Sequence, residues 1–358
     1  HPSTARSYSN LAIVLQDLGQ LFEAQNLLEK ALQSDKKNFG ADHPSTAISY
    51  SNLASVLKDL GQLHEAKSLL KKALKSAEKN FGPDHPSTAR SYSNLAIVLQ
   101  DLGQLPEAQN LLEKALQSDE KSFGPDHPST AIRYSNLAAV LKDLGQLSGA
   151  KSLLKKALIS NEKNFGADHP STAISYSNLA IVLQDLGQLP ESKSLLEKAL
   201  HSNENNFGPD HPYTATSYSN LATVLQNMGQ LSEAKILLEK ALRSNEKSFG
   251  PDHPTTATNY SNLATALQDL GQLPEARNLL EKALDFAEKN FGPDHSSTAI
   301  RYSNLALVLQ DLQQLEEALV MSGKATAAFE KSLPKGHPHI EKSREIYNSI
   351  KEELEGGG

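Results

Sequence analysis

Eight asparagines, Asn10, Asn52, Asn94, Asn136, Asn178, Asn220, Asn262 and Asn304, recur at a fixed interval of 42 residues. A primary amide donates and accepts at once, so it can match both the C=O and the N–H of a peptide bond without reading a side chain. Neighbouring helices pack roughly 10 Å apart and an extended chain rises about 3.3 Å per residue, so a row of such amides would meet an extended peptide about every third residue. Three positions near each asparagine differ between copies. The sixth residue of the repeat reads Arg6, Ile48, Arg90, Ile132, Ile174, Thr216, Thr258, Ile300. The thirteenth reads Ile13, Ser55, Ile97, Ala139, Ile181, Thr223, Thr265, Leu307, and the sixteenth alternates between Gln16, Lys58, Gln100 and Lys142 before staying Gln. Arg6, Arg90, Ile13, Ile97, Ile181, Lys58 and Lys142 are therefore candidate side-chain contacts beside the amides.

The other chemistry-bearing types are weaker candidates. Asp42-His43 recurs at the connectors through Asp294-His295, but nearest copies lie a repeat apart and no third ligand is evident. These histidines read as caps or packing residues, and no metal site is expected. Asp17, Asp59, Asp101, Asp143, Asp185, Asp269 and Asp311 sit near helix C-termini, where the dipole disfavours a carboxylate. They read as solvated charges or as an acidic rim for basic ligands; Asn227 breaks the series. No phosphate loop, nucleophile motif or catalytic carboxylate pair is visible, so neither an enzyme nor a cofactor is expected.

Eight repeats begin at His1, His43, His85, His127, His169, His211, His253 and His295, and run to Gly336 without insertion or deletion. A fixed period of this length signals a solenoid, in which each repeat buries its apolar face against its neighbours. In the first repeat, Tyr8, Leu11, Ala12, Leu15 and Leu18 fall on one face of a helix. Gly19 supplies a left-handed end. A second stripe at Leu21, Ala24, Leu27, Leu28, Ala31 and Leu32 predicts a longer helix reaching about Phe39, with Gly40 as its stop. Pro106, Pro190 and Pro274 occupy its first turn in other repeats, where a missing N–H is harmless. Pro83, Pro125 and Pro209 block continuation, and either Asp42 or His43 caps the next helix, with Pro44 in its first turn. Small residues at Ala12, Ala24 and Ala31 allow close helix approach.

The spacing of Tyr8, Leu11, Ala12, Leu15, Gly19, Ala24, Leu28 and Ala31 resembles the tetratricopeptide-repeat signature. The longer second helix and the Phe-Gly-Pro-Asp-His-Pro connector resemble the 42-residue, kinesin-light-chain-like class of that family. The resemblance covers residues 1–336 and implies an all-α fold, a right-handed superhelical solenoid of antiparallel helix pairs. It also implies that positions 6, 9, 10, 13, 16 and 17, which lie opposite the apolar stripe, line a concave groove. On that resemblance the eight asparagines become a peptide-holding ladder.

The eighth repeat departs from the others: Gln313 replaces the turn glycine, Ser322 replaces a leucine, and Gly323 falls inside the second helix. Beyond it, Ile340, Ile346, Tyr347, Ile350 and Leu354 predict a polar-faced capping helix over 337–355, followed by a Gly tail, 356–358. No cap precedes His1, so the chain reads as a fragment whose upstream end is cut or otherwise covered.

Composition narrows the classes. A net charge of −7 without a basic stripe argues against nucleic acid, and no cysteine is present. No apolar run approaches a membrane span and no signal peptide is visible, so a cytoplasmic, non-membrane protein is expected. The leading expectation is a non-catalytic scaffold that binds a protein or peptide ligand in its groove. Two alternatives are a sensor or autoinhibitory array of a larger signalling protein and a solenoid that associates head to tail. Repeats one and three share 38 of 42 positions. Recurrence of the asparagines therefore fits inheritance by duplication as well as ligand contact, and variation near them fits drift as well as selection.

Overall fold

The computed structural model describes residues 2–356, with side chains from Ser3 onward. All regular structure among these residues is α-helical. The first helices of the pairs are α1 (Pro2–Asp17), α3 (Pro44–Asp59), α5 (Pro86–Asp101), α7 (Pro128–Asp143), α9 (Pro170–Asp185), α11 (Pro212–Asn227), α13 (Pro254–Asp269) and α15 (Ser296–Asp311). Their partners are α2 (Leu21–Phe39), α4 (Leu63–Phe81), α6 (Leu105–Phe123), α8 (Leu147–Phe165), α10 (Leu189–Phe207), α12 (Leu231–Phe249), α14 (Leu273–Phe291) and α16 (Leu315–Ser332). A last helix, α17, spans Pro338–Gly356. The chain forms two compact bodies, His1–Leu195 and Leu196–Gly358, with the boundary inside α10.

Local chemistry sets each helix boundary. His43 has extended backbone (φ −77°, ψ 144°) and its Nδ1 accepts the Ser45 N–H at 3.1 Å, with Pro44 opening α3. Of the two candidate caps, the histidine is the one used. His85, His127 and His169 repeat this in the N-terminal body, and His211, His253 and His295 in the C-terminal body. The His43 ring stacks on Phe39 with centroids 4.8 Å apart, and Thr46 Oγ1 donates to the Gly40 carbonyl at 2.7 Å. Between paired helices, Gln20 N–H reaches the Leu15 carbonyl at 2.8 Å and Gly19 N–H the Gln16 carbonyl at 3.0 Å. This doubly bonded turn needs a left-handed residue, and Gly19 sits at φ 75°. Gln313 adopts the same conformation at φ 61° despite its side chain, so the turn survives the loss of glycine.

In the N-terminal body, successive helices from α1 to α9 pack on one another; in the C-terminal body, α11 to α17 do the same. First helices also touch the next first helix, as α3 touches α5 and α13 touches α15, whereas second helices touch no other second helix among the described residues. Closer spacing of first helices puts them on the concave side of each body. Each body is thus a stretch of solenoid built from antiparallel helix pairs.

The predicted stripe is buried where a helix lies on both sides: Tyr50, Leu53, Ala54 and Leu57 pack with Ala66, Leu70 and Ala73. Two features differ from expectation. Val14 was outside the stripe, yet its counterparts Val56, Val98, Val140, Val182, Val224 and Val308 are buried. Conversely Leu11 and Leu18 are 51% and 57% exposed, while Leu53 and Leu60 are buried. This edge of a first helix packs on the second helix before it, and α1 has no helix there. In the C-terminal body, α16 runs unbroken through Gly323, and α17 buries Ile340 beside Phe329 and, further along, Ile350.

Candidate functional site

The eight asparagines lie on the concave-side helices, at the same turn of each. Asn52, Asn94, Asn136 and Asn178 in the N-terminal body are half-buried, as are Asn220, Asn262 and Asn304 in the C-terminal body; Asn10 on the terminal helix is exposed. None of these eight amides has a side-chain partner among the described residues, so their donors and acceptors face outward unused. The structure gathers four nominated residues into one depression of about 260 Å³ between α3 and α5: Asn52, Asn94, Lys58 and Ile97, with Ser55 and Val98 in its wall. Ile13, Ile97 and Ile181 stay exposed on this side, as do Arg6 and Arg90.

One turn further along the same helices, an unexpected ladder links the repeats. Gln16 Nε2 donates to Asp59 Oδ2 at 2.6 Å, and Gln100 to Asp143 at 2.6 Å. In the C-terminal body Gln226 reaches Asp269 at 3.1 Å, Gln268 reaches Asp311 at 2.5 Å, and Gln310 donates to Glu353 of α17 at 2.6 Å. Four of the aspartates read from sequence as solvated charges or an acidic rim, Asp59, Asp143, Asp269 and Asp311, are therefore bonded acceptors between repeats, and an amide donor offsets their poor position at a helix end. Where the sixteenth residue is lysine, Lys58 Nζ lies 3.1 Å from Asp59 and Lys142 Nζ 3.5 Å from Asp143. Crowding on the concave side desolvates Asp101, and this, with the Asp59 and Asp143 charges, raises its pKa against the pull of Lys58. Both nominated lysines thus already hold a carboxylate.

The connectors spend their polar groups on structure. Lys79 Nζ lies 2.5 Å from Asp42, whose pKa it holds below the ordinary value, while His43 caps and stacks. Among the described residues no cluster of three or more His, Asp or Glu is placed to hold a metal ion. Among the described residues no helix is long and apolar enough to cross a membrane.

Sequence reasoning missed two kinds of polar pair that join many of the first helices to the second helix before them. Tyr92 Oη donates to Glu78 at 2.8 Å and Tyr134 to Glu120 at 2.6 Å; Tyr218 and Tyr260 repeat this with Glu204 and Glu246. Burial and the carboxylate acceptor push the Tyr92 pKa up to about 12. Where Lys36 replaces the glutamate, its ammonium instead lies over the Tyr50 ring at 5.2 Å. The second pair varies in type: Asp35 with Ser49 (2.5 Å), Asp119 with Arg133 (2.8 Å), Asn161 with Ser175 (2.8 Å), Asn203 with Ser217 (2.8 Å). Variation at this position of the second helix looked like drift of an exposed surface, but Asp35, Asp119 and Asn203 are buried. The common separation of 14 residues, with matched changes at both ends, was the available signal.

With this geometry in view, the comparisons fall into place. The tetratricopeptide-repeat family profile matches residues 3–79, 45–121, 92–163, 134–201, 171–247, 213–289 and 255–331. The chain belongs to the tetratricopeptide-repeat family, whose members serve in protein–protein interaction. Among solved structures, one similar chain is a set of nearly identical TPR-like repeats from Podosopora anserina, provisionally designated a kinesin light chain. It is 33% identical with a TM-score of 0.50, covering 58% of this chain and 98% of that one. BtubC (BKLC) from P. vanneervenii is 22% identical with a TM-score of 0.52, covering 64% and 91%. The apo form of RapI is 15% identical with a TM-score of 0.57, covering 80% and 98%. These last two likenesses concern the fold alone. No curated protein matched the chain.

Proposed function

We propose that the chain is a non-catalytic scaffold that holds an extended peptide segment of a partner along its concave side. In this reading the asparagines of the first helices bind the peptide backbone. Arg6, Arg90, Ile13, Ile97 and Ile181 contact side chains, and Lys58 and Lys142 contribute through their aspartate-bound ammonium groups. The repeats are of the kinesin-light-chain-like class, eight in number, with α17 as a terminal cap. The observation that carries the reading is the absence of any side-chain partner for the asparagine amides among the described residues, on helices where Gln16, Gln100, Gln226 and Gln268 are bonded to an aspartate of the next repeat. A half-buried amide without a partner forgoes hydrogen bonding that a peptide backbone could supply. The 33% identity to the Podosopora anserina repeats supports the class. Selection of peptides from a random library on the intact chain, followed by titration against an Asn52→Ala/Asn94→Ala variant, tests the reading. Affinity is expected to fall by about tenfold for two lost hydrogen bonds; undiminished affinity with intact folding contradicts it.

A second reading, self-association in which another copy covers α1, is favoured by one observation. Leu11, Val14 and Leu18 form an apolar edge, 51%, 53% and 57% exposed, whose counterparts Leu53, Val56 and Leu60 are buried.

A further inference from the structure

The seventh residue of the repeat, on the first helix, faces a residue of the preceding second helix, 14 positions earlier, at the rim where the two layers meet. Arginine occupies this place twice, and the two cases differ. Arg133 Nε donates to Asp119 Oδ2 at 2.8 Å, a closed internal ion pair. Arg301 faces Ala287, which presents a methyl group where Asp119 presents a carboxylate. No carboxylate lies within ion-pair distance of Arg301 among the described residues. Its Nε is buried without a hydrogen-bond acceptor. Nη1 reaches only the Ser297 carbonyl, at 3.4 Å, and Nη2 the Thr258 hydroxyl, at 3.1 Å. Burial without a counter-charge lowers the Arg301 pKa from its ordinary value, although arginine stays protonated. A guanidinium in this position costs stability, and two neutral acceptors offset less of that cost than a carboxylate would.

Thr258 belongs to α13 and occupies the sixth position of its repeat, exposed on the concave side. The Nη2 end of Arg301 therefore opens onto the surface where the proposed peptide would lie. We propose that Arg301 is an anchor for a carboxylate of a bound ligand, an Asp or Glu side chain or a peptide C-terminus, at the rim between α13 and α15. The deepened reading rests on the groove-scaffold proposal. One guanidinium with no second cation in contact suits a singly charged carboxylate better than a phosphate dianion. The Arg133–Asp119 pair shows the same rim geometry satisfied by a carboxylate from within. Arg90, at the sixth position of its repeat, is exposed.

The test uses the intact chain, ¹⁵N-labelled at arginine, with sodium acetate as probe, sodium phosphate as a second arm, and chloride at matched ionic strength as control. Arg301 guanidinium signals are expected to shift saturably with acetate, while Arg133 signals follow the chloride control. Ala287→Asp, which installs the internal partner, is expected to abolish the acetate response. Arg301→Ser, which places at this site the residue found at Ser175 and Ser217, is expected to weaken acidic library-selected peptides about tenfold and neutral ones little. Arg301 signals that follow chloride alone overturn the proposal. Saturation by phosphate at lower concentration than acetate overturns the carboxylate assignment. Because acetate needs no groove peptide, its outcome is separable from that of the asparagine variants.

Discussion

At the scale of single residues, the polar side chains of this array fall into used and unused sets. The used set joins helices: Tyr134 to Glu120, Gln100 to Asp143, Arg133 to Asp119. The last is the most deeply buried ion pair, with Asp119 1% exposed. Removing one partner leaves the other charge without compensation. Asp119→Ala is therefore expected to destabilise the chain by roughly 2–4 kcal/mol in denaturant unfolding. The Asp119→Ala/Arg133→Ser double variant is expected to recover much of that loss. Equal losses in both variants contradict the pairing. The asparagine amides, without a side-chain partner, and Arg301, whose Nε is buried without an acceptor, are where ligand chemistry is sought. The asparagines were legible in the sequence because they recur. Arg301 was not, because its character depends on Ala287, a residue with no polar signal of its own.

At the scale of the helix pair, spacing alone located both helices and both glycine stops, since apolar periodicity and left-handed residues are local properties. The buried valine edge was less visible. It faces the neighbouring repeat, and only stacking makes it interior. The same distinction explains the aspartates near helix ends, whose partners come from the preceding repeat, 43 residues away in sequence. Gln313 tests the turn directly. It holds φ 61°, where the other seven repeats use glycine, from Gly19 at φ 75° to Gly271 at φ 72°. Gln313→Gly removes left-handed strain but adds glycine's chain entropy. The net expectation is stabilisation by roughly 0.5–1 kcal/mol, read as a higher thermal midpoint. An unchanged or lower midpoint contradicts the account of this turn.

At the scale of the whole molecule, near-identity of the repeats makes fold easy to read and function hard to read. Copying preserves every residue alike, so recurrence identifies the solenoid without separating ligand contacts from inheritance. The apolar edge of α1 belongs to this scale. If a second copy covers it, light scattering across a concentration series is expected to show a rising mass that Leu11→Gln/Val14→Gln lowers to monomer. A strict monomer in the parent chain removes that reading. The central claim concerns the concave side: partnerless asparagines hold a peptide by its backbone. The most direct measurement titrates several unrelated library-selected peptides against the parent chain and Asn52→Ala/Asn94→Ala, with thermal unfolding as a folding control. Affinity is predicted to drop by a similar factor for every peptide, at an unchanged unfolding midpoint. Undiminished affinity, or a loss confined to one peptide sequence, would contradict backbone recognition by the asparagine ladder.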